Sequence, residues 1–256
     1  MKVAPSRVSL LFSVVAVLGT STSFAQSGWF WQNPLPQGND LFAVAAPNLS
    51  TVVAVGSLGT ILRTTDGGTT WTSQSSGTTE NLLGVSFVDA STGTAVGSGG
   101  TIVRTDDGGG KWRLQSSGTI LPLYGVYFVD ANTGTVVGES GIILRTDGGG
   151  ATWTRQSSGT TYPLSAVSFV DVNTGTAVGG IILRTDDGGA TWMRQTSGES
   201  AFLSGVSFVD ANTGWAVGST APPQLLSMIL HTTDGGATWM RQPSGLAGPL
   251  YGVSFV

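Results

Sequence analysis

Cysteine is missing from all 256 residues, which removes disulfides, thiolate metal sites, a cysteine nucleophile and lipid attachment at a lipobox. Histidine occurs once, as His231, so a zinc site has too few ligands to draw on. Charged residues make up only 10% of the chain, yet 40% is hydrophobic, too much for a disordered polymer. Cations do not dominate either. Lys and Arg number 11 against 15 Asp and Glu, a net charge of −4, which argues against nucleic acid or an anionic bilayer as partner. The apolar run Val8–Leu18 is too short to span a bilayer. No window carries a 3.6-residue apolar stripe, so helices are not expected.

That apolar run follows Lys2 and Arg7 and precedes Ser23-Phe24-Ala25, so residues 1–25 read as a secretory signal with cleavage before Gln26. The mature chain, 26–256, then holds 9 basic and 15 acidic residues, a net charge of −6. The expected location is outside the cytoplasm: periplasm, cell surface, extracellular space or thylakoid lumen, peripheral to a membrane rather than integral.

What the chain has in quantity is glycine, 39 residues, and a phrase that recurs. "RTTDGGTTW" at 63–71 returns as "RTDDGGGKW", "RTDGGGATW", "RTDDGGATW" and "HTTDGGATW". The closing tryptophans Trp71, Trp112, Trp153, Trp192 and Trp239 are separated by 41, 41, 39 and 47 residues. A period near 40 residues means stacked or circular repeats. Within one unit, residues 82–115, four short runs rich in Val, Ile, Phe and Thr are separated by "DASTG", "GSGG" and "DDGGGK", all turn chemistry. The runs are Leu83–Val88, Thr94–Gly97, Thr101–Thr105 and Trp112–Gln115. Four strands per unit of this length are the signature of a propeller blade. The fold class is therefore all-β, a β-propeller of four-stranded antiparallel blades, with repeats at about 41–81, 82–122, 123–163, 164–202 and 203–249. The first strand alternates small Gly84 and Ser86 with large Val85 and Phe87, as Gly205 and Ser207 alternate with Val206 and Phe208. Its small face is expected where neighbouring blades crowd at the axis.

Written as [ST]-x-D-x-G-x-[TK]-W, the recurring phrase resembles the Asp-box of bacterial neuraminidase repeats. The resemblance implies a cap on the hairpin between third and fourth strands, formed by Asp66 and Trp71, Asp107 and Trp112, Asp187 and Trp192, and Asp234 and Trp239. Around Trp153 the pattern departs: Gly148 stands where Asp belongs, and Asp147 lies one place early. The longer pattern L-x-G-V-x-F-V-D-x-x-T-G-x-x-V-G…G-x-I-x-R-T-x-D-G-G-x-T-W is similar to the photosystem II stability/assembly factor-like propellers, over nearly everything after residue 40. That resemblance implies a non-enzymatic scaffold that binds a protein partner in the cell envelope.

Both ends read as parts of a further blade. "WFWQ" at 29–32 resembles a lone fourth strand, and residues 250–256, "LYGVSFV", a lone first strand whose phrase elsewhere continues "DANTG". The sequence thus reads as five complete blades of a six- or seven-bladed ring, expected to be monomeric when complete.

Candidate chemistry is sparse. Neuraminidase-type catalysis joins a Tyr–Glu nucleophile, an acid/base Asp and three Arg on a carboxylate. Here Glu80, Glu139 and Glu199 lie in loops, and Tyr124, Tyr127, Tyr162 and Tyr251 have no obvious Glu partner. "GSGG" at 97–100 is a hairpin turn rather than a phosphate loop, and Asp106-Asp107 lacks EF-hand spacing. Neither catalytic residues nor a metal or cofactor site are assigned. Arginine recurs, however: Arg63, Arg104, Arg145 and Arg184 on the third strand, replaced by His231 in the fifth copy, and Arg155, Arg194 and Arg241 two places after Trp. The third-strand set either pairs with first-turn aspartates (Asp89, Asp130, Asp171, Asp210) or forms a basic annulus gripping an acidic segment of a partner. Function in a near-identical repeat is expected where the symmetry breaks. The breaks are the insertion 219–228 with Leu225, Leu226 and Met228, Trp215 where other copies have Thr, Glu139, and the shortened turn Gly179-Gly180. The candidate partner contacts are therefore Arg63, Arg104, Arg145, Arg184, His231, Trp215, Leu225 and Leu226. The rival reading is a carbohydrate-active or carbohydrate-binding, sialidase-like propeller.

Overall fold

A computed structural model describes residues 38–223 and 225–255, and these contain five four-stranded antiparallel sheets, one per repeat. The first sheet is β1 (Leu41–Ala45), β2 (Val52–Gly56), β3 (Ile61–Thr64) and β4 (Thr72–Gln74). The second is β5 (Leu82–Phe87), β6 (Gly93–Gly97), β7 (Ile102–Thr105) and β8 (Arg113–Gln115). The third is β9 (Leu123–Phe128), β10 (Gly134–Gly138), β11 (Ile143–Thr146) and β12 (Thr154–Gln156). The fourth is β13 (Leu164–Phe169), β14 (Gly175–Gly179), β15 (Ile182–Thr185) and β16 (Met193–Gln195). The fifth is β17 (Ala201–Phe208), β18 (Gly214–Thr220), β19 (Ser227–Thr232) and β20 (Met240–Gln242). Strand order follows chain order in every sheet, as a meander requires. The segment read as a secretory signal, 1–25, and the expected lone strand, 29–32, lie outside the described residues.

In the second blade, the unit read strand by strand, the strands begin and end within one residue of the sequence-based expectation. One difference is systematic: the tryptophan belongs to the turn and the fourth strand starts just after it. No helix among the described residues is long and apolar enough to cross a membrane.

The core lies between blades rather than inside them. Val137 and Ile143 of the third blade pack on Leu164, Val167, Phe169, Ala177 and Leu183 of the fourth, all buried. Val53, Val55 and Ile61 meet Leu82, Ala95, Val103 and Trp112 in the same way. Each such aliphatic side chain contributes roughly 1.5–3 kcal/mol on leaving water, so a blade is stabilised chiefly by its neighbour.

The small face of the inner strand is where that neighbour arrives. A Cβ at Gly84 would lie 2.6 Å from the Tyr124 carbonyl oxygen, and one at Gly125 3.0 Å from the Ala166 Cα. The serines on this face accept from the next inner strand: Phe128 N to Ser86 Oγ at 3.3 Å, and Phe208 N to Ser168 Oγ at 3.3 Å. Residues 250–255 repeat the pattern on the fifth blade. Phe255 N donates to Ser207 Oγ at 3.1 Å and Leu250 N to the Gly218 carbonyl at 3.0 Å. They thus lie where another inner strand would.

A second steric rule links the first two strands. A Cβ at Gly93, Gly134, Gly175 or Gly214 would stand only 2.4–2.6 Å from the ring of Phe87, Phe128, Phe169 or Phe208. The first blade carries Ala46 in place of that Phe, and there alone the glycine position is filled by a larger residue, Val52.

Candidate functional surface

The strand directions put two kinds of turn on each end of the blade stack. One end carries the first turns (Asp89, Asp130, Asp171, Asp210) and the Gly-rich turns; the other carries the second hairpins and the links between blades.

In the Gly-rich turns, Thr64 Oγ1 accepts from Gly68 N at 2.9 Å and donates to Asp66 Oδ1 at 2.7 Å. The Asp66 carboxylate also receives Thr70 N at 2.8 Å and Thr70 Oγ1 at 2.6 Å. The Thr70 hydroxyl and N–H, with Thr64, hold the Asp66 carboxyl down at about 2, and Asp187 and Asp234 are held at about 2 by the same bonds from Thr191 and Thr238. Asp107 is lowered first by the Lys111 N–H, and Thr105 adds to it. In the third blade Thr146 Oγ1 still accepts from Gly150 N at 2.9 Å, but Gly148 offers no carboxylate. Asp147 turns instead to Arg145 Nε at 3.3 Å.

The tryptophans close these turns against the preceding blade. Trp153, Trp192 and Trp239 donate Nε1 to Oε1 of Gln115, Gln156 and Gln195 at 3.3, 3.2 and 3.4 Å. The same amides donate Nε2 to the carbonyls of Gly149, Gly188 and Gly235 at 3.1, 3.1 and 2.9 Å. A Cβ at Gly150, Gly189 or Gly236 would lie 2.1 Å from that glutamine, so the second glycine is needed for space as well as for its positive φ. Trp112 lacks this clamp: its Nε1 bonds Gly109 O at 3.2 Å, while Gln74 bonds Thr72 within its own blade at 2.9 Å. Trp71 is half-buried. Sequence reading overlooked this glutamine, although it stands three places after every tryptophan, as Gln74, Gln115, Gln156, Gln195 and Gln242.

The third-strand arginines are also engaged between blades. Arg104 donates to Thr94 Oγ1 at 3.0 Å and to the Ala131 carbonyl of the next blade at 2.6 Å, and lies 4.8 Å over the Phe128 ring. Arg145 reaches Thr135 at 3.1 Å and Val172 O at 2.8 Å over Phe169; Arg184 reaches Thr176 at 3.2 Å and Ala211 O at 2.8 Å over Phe208. Arg145 and Arg184 are only 8% and 6% exposed. The hydrogen bond expected to a first-turn carboxylate goes instead to a first-turn carbonyl, because those carboxylates already cap their own turns. Asp130, for example, accepts Asn132 N at 2.7 Å and Thr133 N at 2.8 Å, and these bonds lower its pKa, with Arg145 contributing less. Burial lowers the Arg104 guanidinium, and Asp106 and Asp89 oppose it.

Arg63 differs because Val53 replaces the cross-strand threonine. Its Nε is buried without a hydrogen-bond partner among the described residues. In the fifth blade both partners change together: Trp215 and His231 pair across the strands and stack at 4.5 Å, with Phe255 4.2 Å from the indole.

At the other end of the stack each inner strand carries a β-bulge, at Phe42, Leu83, Tyr124, Ser165 and Ser204. Tyr124, read from sequence as lacking a Glu partner, donates its OH to Glu139 Oε2 at 2.6 Å. Burial and then Glu139 push the phenol up to about 12, so it holds its proton as a donor. The insertion forms a hairpin extension with Ser219 opposite Ser227, exposing Leu225 (49%) and Leu226 (42%) beside Phe202 (52%) and Leu246 (63%). Leu226 also bridges to Ala247. No group of three or more His, Cys, Asp or Glu able to hold a metal ion occurs among the described residues.

The folded chain is similar to the solved structure "YCF48 bound to D1 peptide", with 17% identity and a TM-score of 0.59 over 81% of this chain and 82% of that one. It is similar to YCF48 from Cyanidioschyzon merolae, with 22% identity and a TM-score of 0.58 over 82% and 87%. It also resembles a GH74 enzyme of Niastella koreensis, 17% identical with a TM-score of 0.65, over 80% of this chain but 38% of that one. At these identities the likeness establishes the fold alone. No curated protein matches the sequence. The family model described as photosynthesis system II assembly factor YCF48 matches residues 73–163, 112–197 and 159–249, well over half of the chain. This β-propeller therefore belongs to the YCF48 family of photosystem II assembly factors.

Proposed function

We propose that this protein is an exported, non-enzymatic scaffold that binds a segment of a protein partner during assembly of a membrane complex, in the manner of a photosystem II assembly factor. The observation that carries this is family membership, together with the structure of a similar propeller solved as "YCF48 bound to D1 peptide". The partner contacts are proposed where the repeat symmetry breaks, at both ends of the fifth blade: Trp215 and His231 toward its Gly-rich turn, and the exposed Leu225 and Leu226 of the extended hairpin at the other end. Arg63, half-buried on the first blade, is added to this set through its guanidinium end and not through its Nε, which is buried. Arg104, Arg145 and Arg184 contribute positive potential through the turns they hold, since their polar atoms face the next blade. Capture of an envelope protein by the tagged chain, followed by binding of a peptide from that protein, tests the reading. Failure of both would overturn it.

A carbohydrate-active propeller is the second reading. The GH74 neighbours and the Tyr124–Glu139 pair favour it. Hydrolysis of xyloglucan or of a fluorogenic sialoside, lost in Glu139→Gln, would support it, and no turnover together with a blank glycan array would dismiss it.

A further inference from the structure

With the third-strand arginines held between blades, the remaining cations among the described residues are Lys111 of a Gly-rich turn and the arginines of the outer strands, and these arginines differ from one another. Arg113 pairs with Asp106 at 2.6 Å, and Arg241 with Glu199 at 3.8 Å. Arg155 and Arg194, both exposed, have no acidic partner among the described residues. They line one groove of about 900 Å³ between the third and fourth blades, with Tyr162, Ile181, Leu183 and Trp192 between them. Tyr162 is 55% exposed, and Trp192 is half-buried, its ring set edge-on to Phe169. No acidic residue lines this groove or its counterpart on the second blade, whereas Glu80 lines the counterpart on the first blade and Glu199 the one between the fourth and fifth, which Arg194 also borders.

The groove's surroundings also break the repeat. In the first three blades a 3-10 turn joins the second and third strands, at Ser57–Gly59, Ser98–Gly100 and Glu139–Gly141, and its last glycine sits on the blade's own link: a Cβ at Gly100 would be 2.0 Å from Thr119 O. In the fourth blade this turn shrinks to Gly179-Gly180, and Gly180 packs instead against Tyr162. Ile181 is thereby left half-buried at the groove.

We propose that the groove between the third and fourth blades is a docking site for an acidic peptide segment. Carboxylates of the peptide pair with the forked guanidinium groups of Arg155 and Arg194, and an apolar side chain between them lies on Tyr162 and Trp192. Charge complementarity decides the occupant: two unpaired cations beside an aromatic floor, on a chain whose overall charge is negative, select a carboxylate-bearing ligand. The guanidinium forks favour carboxylate over a lone point charge, and the aromatic floor favours a peptide with a Phe or Leu side chain. This rests on the protein-binding reading above.

The probe is a fluorescein-labelled Glu-Glu-Phe-Glu-Glu peptide, titrated onto the full chain and followed by anisotropy, with the Lys-Lys-Phe-Lys-Lys peptide as control. The acidic peptide is expected to bind and the basic one not, with affinity falling as salt is raised. Arg155→Ala combined with Arg194→Ala should weaken binding about tenfold or more, Tyr162→Ala should weaken it less, and Arg113→Ala should leave it unchanged. Thermal melts check that each variant stays folded. Equal binding by the double variant, equal binding of both peptides, or arginine-dependent binding of polygalacturonate without binding of the peptide would overturn the proposal. If the double variant binds the acidic peptide as the wild type does and still captures its envelope partner, this groove falls while the scaffold reading stands; if the wild type captures none, the scaffold reading itself falls.

Discussion

Trp192 Nε1 donates to Gln156 Oε1 across 3.2 Å, while the same amide donates to Gly188 O at 3.1 Å, so one side chain staples the fourth blade to the third. Gln156→Leu leaves a partly buried N–H and a carbonyl unpaired, at a cost of about 1–3 kcal/mol. Gln74→Leu, whose amide bonds only Thr72 in its own blade, should cost less than about 0.5 kcal/mol. Urea denaturation of the two variants checks the difference. Trp192→Ala should cost about 3 kcal/mol or more, because the ring's contact with Phe169 goes as well.

Phe169 and Gly175 form a steric pair, since a Cβ at Gly175 would stand 2.5 Å from the ring. Gly175→Ala should destabilise by about 1–3 kcal/mol through overpacking, and Phe169→Ala by about 3–5 kcal/mol through a cavity. The double variant should cost clearly less than the sum. The combination of Ala46 and Val52 in the first blade is the natural counterpart of that repacking. A double-mutant cycle that proves additive would contradict the pairing.

Acid should loosen the Gly-rich turns. Asp66, Asp187 and Asp234 have folded pKa values lowered from 3.8 to about 2 by the bonds of their own turns. A depressed carboxyl contributes stability in full above its unfolded pKa, and that stability is lost as pH falls through the folded value. Melting temperature should therefore drop between about pH 4 and pH 2. Asp187→Asn should be less stable at neutral pH and lose less on acidification.

Arg184 donates three hydrogen bonds, to Asp186, Thr176 and Ala211. A lysine cannot reproduce that planar fork, so Arg184→Lys should destabilise by about 1–3 kcal/mol. Arg194→Ala, on an exposed outer strand, should shift stability by no more than about 0.5 kcal/mol. Comparable losses from both would show that the buried set has no special part in joining blades.

The repeat, the four strands of each blade and the turns between them are legible in the sequence. Alternation and turn chemistry act over a few residues: the threonine, aspartate and glycines of one turn meet within four positions, as Thr64, Asp66 and Gly68 do. The sequence also carried the small face of the inner strand, because Gly84 and Gly125 fit only where another backbone comes close. How one blade holds the next follows only from the stacking of the sheets. Arg145 and Gln156 reach partners 27 and 32 or more residues away, in a different repeat. A guanidinium on a third strand can be met locally by a carboxylate, by a carbonyl across the gap or by solvent, and the pattern of residue types is the same in each case. Only the stacking of sheets, which brings the next first turn and its Phe over the strand, selects the carbonyl. The same stacking leaves Arg155 and Arg194 exposed without acidic partners among the described residues, although in sequence they too recur at a fixed place, two after the tryptophan, with Arg241.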